Sequence, residues 1–287
     1  ITALALFFWA KDRGPKSGSS VPAFAGFAVN LLGLIVMVLM VHAGLLGRGK
    51  TGLLLLPFLG ALLAVAVLPH KYRAVLAERD TWVIMLVYSI TFGGFVGMAS
   101  YVSLLLINLY QMTKIDAGLM MAALAFTGAI LRPLGGLIAD RVSGVRALLF
   151  LLAGISALDF TFAAVTPAMG AGVLLLFGLY VCFGLGNGAT FQLVPHRWKG
   201  RTGVMTGIIG AAGGIGGFYL PVVMGIAKES TGSYQMGFAT FGAIAALAFV
   251  LVVMLRQQWL VWAMPAGNAE MDLPAGMALS PAIEASR

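Results

Sequence analysis

Arg132 is the residue of this sequence with the clearest potential for chemistry. It lies in the apolar run LAFTGAILRPLGGLIAD, eight residues before Asp140, which is about 12 Å along a helix. If the run crosses a membrane, Arg132 lies near the middle of a hydrocarbon layer about 30 Å thick. A guanidinium is costly there, and its fork of N–H donors suits a planar oxyanion supplied from outside. Two other interpretations stay open: Arg132 snorkels to the interface, or it pairs with a neighbouring helix.

The preceding apolar run contributes aromatic side chains at helical spacing. Tyr88, Phe92 and Phe95 follow one another at i, i+4 and i+7, so a helix presents them on one face. Such a stripe is typical of packing, but beside Arg132 it could wall a dry pocket with the Tyr88 hydroxyl as a donor. Asn187, in the run FGLGNGATFQLVP, could either hydrogen-bond across helices or line the same path.

A glycine-rich run, TGVMTGIIGAAGGIGGFYLPVVMGIAKE, occupies residues 202–229. Each glycine costs roughly 1 kcal/mol in a helix interior, so packing or function must offset the penalty. The glycines could form a seam for close helix packing, and could also border a path for a small ligand. A nucleotide loop is not indicated, because the lysine and the preceding strand are missing. Spacings of 4, 3, 4 and 3 place on one stripe Gly203, Gly207, Gly210, Gly214 and Gly217, with Gly213 and Gly216 beside them.

A charged loop follows the run that contains Arg132. Its aspartate can accept hydrogen bonds from a helix N-terminus or pair with arginines of a neighbouring helix, which makes a latch that opens and closes. The loop has the pattern G-x-x-x-D-R-x-x-G-x-R, formed by Gly136, Asp140, Arg141, Gly144 and Arg146.

Composition indicates the elements that must position these residues. Of the 287 residues, 60% are hydrophobic and 10% are charged, which is far from a soluble domain. The chain is therefore expected to be an all-α, polytopic helical membrane protein, and the alternating pattern of a transmembrane barrel is absent. Spans are predicted at 23–46, 53–68, 81–110, 117–139, 147–165, 172–194, 202–226 and 236–262.

The basic residues indicate how these spans are oriented. When successive loops are assigned alternately to the two sides of the membrane, twelve of the 18 Lys and Arg residues lie on one side and four on the other. Short loops rich in Lys and Arg face the cytoplasm, so the net charge of +8 reflects membrane topology and not binding of nucleic acid. The single cysteine, Cys182, excludes an internal disulfide, and the three histidines are too far apart to predict a metal site. We expect no cofactor, no metal and no enzymatic activity.

The chain divides into four predicted regions. Residues 1–10 resemble the end of a truncated transmembrane helix, because the apolar run precedes its basic residues, and the chain is therefore expected to be a fragment. Residues 11–80 form a basic linker with an inserted pair of apolar segments. Residues 81–264 hold six spans, and residues 265–287, rich in Pro, Ala and small polar residues, are expected to be a disordered tail.

These motifs together resemble a known family. The charged loop matches a loop of the major facilitator superfamily, and with YSITFGGFVG, FGLGNGATFQLVP and the glycine-rich run the chain closely resembles the nitrate/nitrite porter family within it. The resemblance covers residues 81–262 and would make these spans helices 7 to 12 of twelve, the C-terminal six-helix half. It implies a multi-pass protein of the cytoplasmic (inner) membrane, surrounded by lipid, with nitrate and nitrite as its ligands.

The resemblance also implies roles for individual residues. Family members hold the anion between two arginines, one from each half, and Arg132 matches the arginine of helix 8. Tyr88 and Phe92 match aromatic residues that flank the substrate, and the glycine-rich run matches the second nitrate signature. The other arginine and the first signature belong to an N-terminal half, which would be a partner, fused or separate. The sequence departs from the family in the apolar pair between 23 and 68, whose even number of crossings preserves the later topology.

The coupling of transport is left open by the sequence. Asp159 is a carboxylate within a span, and it is either a proton carrier or a carboxylic acid hydrogen-bonded to a neighbour. Nitrate/nitrite antiport needs no further group, and proton-coupled nitrate uptake is the other possibility. An alternative of a different class is a non-transporting membrane module, or a truncated product, that packs against a partner half.

Overall fold

The computed structural model describes residues 70–165 and 167–263, together with scattered residues between 28 and 62. The predictions for residues 1–10, for the linker before residue 70 with its two apolar segments, and for the tail from residue 265 lie outside the two continuous ranges. The described residues from Lys71 onwards belong to one compact unit, and the description below concerns that unit.

The continuous ranges contain helices and no β-strand. Six of the helices have 22 to 32 residues and are apolar and long enough to cross a membrane, which confirms the predicted all-α, polytopic membrane fold. Each predicted span from residue 81 onwards lies within one of them. In chain order the helices are α1 (His70–Leu76), α2 (Arg79–Tyr110), α3 (Lys114–Val142), α4 (Gly144–Val165), α5 (Met169–Arg197), α6 (Thr202–Thr231) and α7 (Gln235–Ala263).

Short connections join the helices, and their residues account for the breaks. α2 ends at Gln111, whose φ of 55° is left-handed, and α6 ends at Gly232 with a φ of 71°. α3 begins after Thr113, whose hydroxyl oxygen accepts from the Asp116 amide at 3.2 Å. One residue, Ser143, separates α3 from α4, with a φ of 84°. The connections between successive long helices therefore alternate between an inner end, predicted to face the cytoplasm, and an outer end.

Three helix pairs make the main contacts: α2 with α6, α3 with α5, and α4 with α7. Glycines let the first pair approach closely, because a Cβ atom added at Gly93 would lie 2.8 Å from the Cα of Gly216. The Ser89 hydroxyl donates to the carbonyl of Ala212 at 2.8 Å across the same seam. The second pair is equally close, since a Cβ atom at Gly128 would lie 2.9 Å from the carbonyl oxygen of Tyr180.

Ion pairs connect the helices at the inner end. Arg197, at the end of α5, contacts Asp80 through Nε at 2.7 Å and Glu78 through a terminal nitrogen at 3.0 Å. Arg201, just before α6, contacts the other oxygen of Glu78 at 3.0 Å. The start of α2 is thereby tied to α5 and to α6.

Two buried tryptophans complete this charge cluster. The indole N–H of Trp198 donates to Glu78 and that of Trp259 donates to Asp80, each at 3.0 Å. Trp198 is 1% exposed and Trp259 is fully buried. Both carboxylates are therefore held by hydrogen bonds as well as by arginines, and α7 joins the cluster through Trp259. This cluster was not predicted from the sequence, although the acidic pair before a span and the loop RWKGR were available signals.

Candidate functional site

The side chain of Arg132 lies against aromatic rings of α2. Its Cζ atom is 4.4 Å from the centroid of Phe95 and 5.3 Å from that of Phe92, both within the range of cation–π attraction. Its Nε atom is buried and has no hydrogen-bond partner, and no carboxylate of the described residues forms an ion pair with it. The guanidinium is thus positioned by ring faces and keeps its capacity for an anion.

The predicted aromatic face of α2 does lie beside Arg132. Tyr88 is 5% exposed and stacks on Phe92, with centroids 5.1 Å apart and an angle of 8° between the rings. Tyr88 also lies within electrostatic reach of Arg132. The three residues that the spacing placed on one face therefore lie beside the same guanidinium.

Two aromatic residues of α5 extend this wall, and sequence reasoning missed them. Phe191 meets Tyr88 edge-on at 5.1 Å, and Tyr180 meets Phe95 edge-on at 5.7 Å. Phe191 follows Asn187 by four residues. Because Asn187 was already a candidate site residue, this helical spacing was an available signal that Phe191 lies on the same face. We refer to Tyr88, Phe92, Phe95, Tyr180 and Phe191 as the aromatic cradle.

The α5 helix supports the site through its glycines. The ideal Cβ position of Gly188 contacts the carbonyl oxygen of Arg132 and lies 2.7 Å from the amide nitrogen of Gly136. Asn187 precedes this contact and is 4% exposed. The backbone around Arg132 is therefore fixed against α5, while its side chain points to the rings of α2.

The glycines of α6 divide between two faces. A Cβ atom at Gly213 would lie 2.7 Å from Phe92 and from Tyr88, and one at Gly217 would lie 3.2 Å from Val96. By contrast, none of the described residues lies within 4 Å of such an atom at Gly207, Gly210 or Gly214. The first group packs on the aromatic cradle and α2, and the second group, which we call the open glycine face, is not covered by the described part of the chain.

The charged loop between α3 and α4 lies at the inner end. Asp140, Arg141 and Arg146 are exposed, and Asp140 forms no ion pair with any described residue. Gly144 is buried, and a Cβ atom there would lie 2.5 Å from the side-chain oxygen of Gln192. Gly136, the remaining residue of the pattern, is half-buried on α3. The loop leaves Asp140 available to a partner outside the described residues.

Metal ligation is not suggested by the arrangement. Among residues 70–165 and 167–263 no group of three His, Cys, Asp or Glu side chains is close enough to hold an ion. The site residues offer a cation, ring faces, a hydroxyl and small backbone surfaces. This set can bind and desolvate a small anion, and it contains no nucleophile paired with a base.

Known proteins provide relatives of the chain, although no protein-family model matches it. It is 35% identical over 192 residues to the "Nitrite extrusion protein" of Bacillus subtilis, which covers 67% of the chain and 47% of that relative. It is 34% identical over 184 residues to the "Probable nitrate/nitrite transporter NarK2" of Mycobacterium tuberculosis, covering 63% of the chain and 46% of the relative. Its identity to the "Probable nitrate transporter NarT" of Staphylococcus epidermidis is 33% over 168 residues, or 57% and 43%. The chain spans just under half the length of these relatives.

Proposed function

We propose, from the premise that the chain belongs to the nitrate/nitrite porter family, that it forms the C-terminal half of a carrier for nitrate and nitrite. The relatives are bacterial and are named for transport and not for enzymatic activity, which agrees with a multi-pass protein of the cytoplasmic membrane that is not an enzyme. In this proposal the anion binds at Arg132, and transport occurs by alternating access between two six-helix halves.

The observation that carries the proposal is a guanidinium within a membrane span that has no charged partner among the described residues. Arg132 is held on the rings of Phe92 and Phe95, and no described carboxylate neutralises it. A planar oxyanion would supply the missing charge and accept parallel N–H donors from the fork. The Tyr88 hydroxyl, on the ring stacked against Phe92, could donate to the same anion.

The open glycine face supports the assignment of a half. No described residue lies within 4 Å of a Cβ atom added at Gly207, Gly210 or Gly214, although each glycine carries a helix penalty that contact or function normally offsets. In the proposed carrier this face borders the anion path and meets the N-terminal half, which brings the second arginine. Rocking of one half against the other then exposes the anion to either side, with Asp140 as a latch at the inner end.

Two modes of coupling are compatible with this arrangement. Exchange of nitrate for nitrite needs only one anion site that both ions occupy in turn. Proton-coupled uptake needs a group that binds and releases a proton during the cycle. The anion site itself contains no carboxylate among the described residues, so proton-coupled uptake would need its proton-binding group elsewhere in the chain.

Reconstitution in lipid vesicles tests the proposal. The chain alone is expected to show no saturable nitrate or nitrite transport, and addition of an N-terminal six-helix half with its own intramembrane arginine should restore it. Arg132→Lys, which keeps the charge but loses the fork, should reduce uptake by about tenfold or more at equal protein level. Arg256→Lys, at an exposed arginine near the inner end of α7, is the matched control and should leave uptake unchanged.

Each part of the proposal would be contradicted by a different experimental result. Normal nitrate uptake by Arg132→Ala would rule out the anion site. Saturable uptake by the chain alone, as a monomer or as a homodimer, would show that it builds a complete pathway, and the half assignment would fail. If no partner half restores transport, the alternative of a non-transporting membrane module is favoured.

A further inference from the structure

Asp159, in α4, is a buried carboxyl group that the anion site does not use. It is 0% exposed, and neither of its side-chain oxygens has a hydrogen-bond partner among the described residues. The sequence alone left a hydrogen-bonded carboxylic acid as one interpretation, and the structure supplies no neighbour for it. An ionised carboxylate in such surroundings would be costly, so the group must be neutral whenever this closed arrangement holds.

The helices packed around Asp159 provide no charge to balance an anion. On α7, Gly242 comes so close that its added Cβ atom would lie 3.1 Å from the Cβ of Asp159, and the charged residue of that helix, Arg256, is at the inner end. On α5, Cys182 lies within electrostatic reach of Asp159 and is the titratable group that faces it. On α4 itself, the Ser156 hydroxyl donates to the carbonyl of Gly242 at 3.0 Å and not to Asp159.

A cavity at the outer end of α4 lies one helical turn away. It is lined on α4 by Phe160 and Ala163, which follow Asp159 by one and four residues, and on the facing segment by Ser233 and Gln235. Asp159 precedes the end of α4 by six residues, which is about 9 Å of helix. Water in the cavity can therefore come within a turn of the carboxyl group.

Stacked rings lie between Asp159 and the outer end. Phe162, one turn beyond Asp159, is buried and stacks on Phe238 of α7 with centroids 4.0 Å apart. A small separation of α4 from α7 would part these rings and admit water to the carboxyl group. Closing the pair again would require the group to be neutral, because no cation of the described residues pairs with it.

We propose that Asp159 is a proton site that is loaded from the cavity at the outer end of α4. When α4 and α7 separate, the carboxylate takes up one proton from water and becomes a carboxylic acid, and the neutral group then permits the rings to close. The proton-coupled role rests on the proposed transport function. In that role, proton binding at Asp159 favours the closed outer end, which couples an inward proton gradient to uptake of the anion.

Infrared spectroscopy of the purified chain in lipid tests the proton site independently of transport. The carbonyl stretch of a buried carboxylic acid should be present at acidic pH, should decrease as the pH is raised, and should be missing from Asp159→Asn. Asp116→Asn, which removes an exposed carboxylate at the start of α3, is the matched control and should keep the band. A band that does not change with pH, or that persists in Asp159→Asn, overturns the proposal.

A transport assay with the reconstituted carrier tests the coupling. Stimulation of nitrate uptake by an inward proton gradient should be lost in Asp159→Asn and kept in Asp116→Asn, while nitrate/nitrite exchange continues in both. Retained stimulation in Asp159→Asn, or equal loss of exchange, overturns the coupling role. If the unsubstituted carrier moves no nitrate at all, the transport function fails, and the infrared titration still decides whether Asp159 binds a proton.

Discussion

Arg132 and Arg197 lie on α3 and α5, two helices that pack directly against each other, yet their surroundings differ in kind. Arg197 contacts Asp80 at 2.7 Å and Glu78 at 3.0 Å, near the inner end of the helices. Arg132 contacts the rings of Phe92 and Phe95 and has no described carboxylate partner. The guanidinium of Arg197 is thus paired with carboxylates of the protein, whereas that of Arg132 has no charged partner among the described residues.

The difference separates a structural from a binding role for arginine. The partners of Arg197 are protein carboxylates that also accept from Trp198 and Trp259, so removal of the arginine leaves the charge of Asp80 without a cation among the described residues. The partners of Arg132 are neutral rings, which lower the cost of the charge without neutralising it. An arginine of the second kind is able to exchange one external anion for another.

The largest effect is expected when Arg132 is given a carboxylate of its own. Phe92→Glu would place an acid near a guanidinium whose Cζ atom is now 5.3 Å from the ring centroid. This internal ion pair should compete with nitrate and reduce uptake by roughly 100-fold, corresponding to about 3 kcal/mol. Radiolabelled nitrate uptake by the reconstituted carrier measures the loss. Phe92→Gln has a similar size without the charge, and equal uptake by the two variants would contradict the comparison.

A smaller effect, on stability, is expected at the inner end. Arg197→Ala removes two ion pairs of a side chain that is 29% exposed, so it should destabilise the fold by about 1 to 3 kcal/mol. Thermal unfolding of the chain in detergent would report the change. Arg201→Ala, at a 45% exposed side chain with one ion pair, should have a weaker effect. Greater destabilisation by Arg132→Ala than by Arg197→Ala would reverse the roles assigned to the two arginines.

The smallest effect is expected from a single hydrogen bond of the inner cluster. Trp259→Phe keeps a buried ring but loses the N–H donor to Asp80, which should cost about 1 kcal/mol. Trp262→Phe, at the neighbouring ring 5.7 Å away, is the control for the loss of indole volume. The same unfolding measurement applies, and identical shifts for both variants would show that the hydrogen bond to Asp80 contributes nothing.

The sequence predicted what depends on spacing within one helix. The six spans from residue 81 and the shared face of Tyr88, Phe92 and Phe95 follow from local periodicity, and α2 presents that face to Arg132. The contribution of Phe191 and the pairing of Arg197 with Asp80 depend on how helices distant in sequence are rotated against each other. The spacing of residues along one helix does not specify how that helix is rotated against its neighbours.

The glycines of α6 illustrate the same limit. Their spacing predicted one stripe with two possible uses, whereas the packing of α2 covers Gly213 and Gly217 and leaves Gly210 and Gly214 without a described neighbour. Which glycines formed the seam depended on the position of Gly93 and Ser89, on a helix more than a hundred residues earlier. Assignment of the remaining glycines to an anion path stays a prediction.

The position of the α2 residues of the aromatic cradle also bears on how the chain is made. The ribosome synthesises α2 before α3, so Phe92 and Phe95 reach the membrane ahead of Arg132. Insertion of a mid-membrane arginine is unfavourable by several kcal/mol, and rings already present would lower that barrier at the time when it is met. Since only Ser143 separates α3 from α4, those two helices are expected to enter as a hairpin. Glycosylation-based insertion assays comparing α3 after native α2 with α3 after α2 carrying Phe92→Ala and Phe95→Ala would measure this assistance, and equal insertion would exclude it.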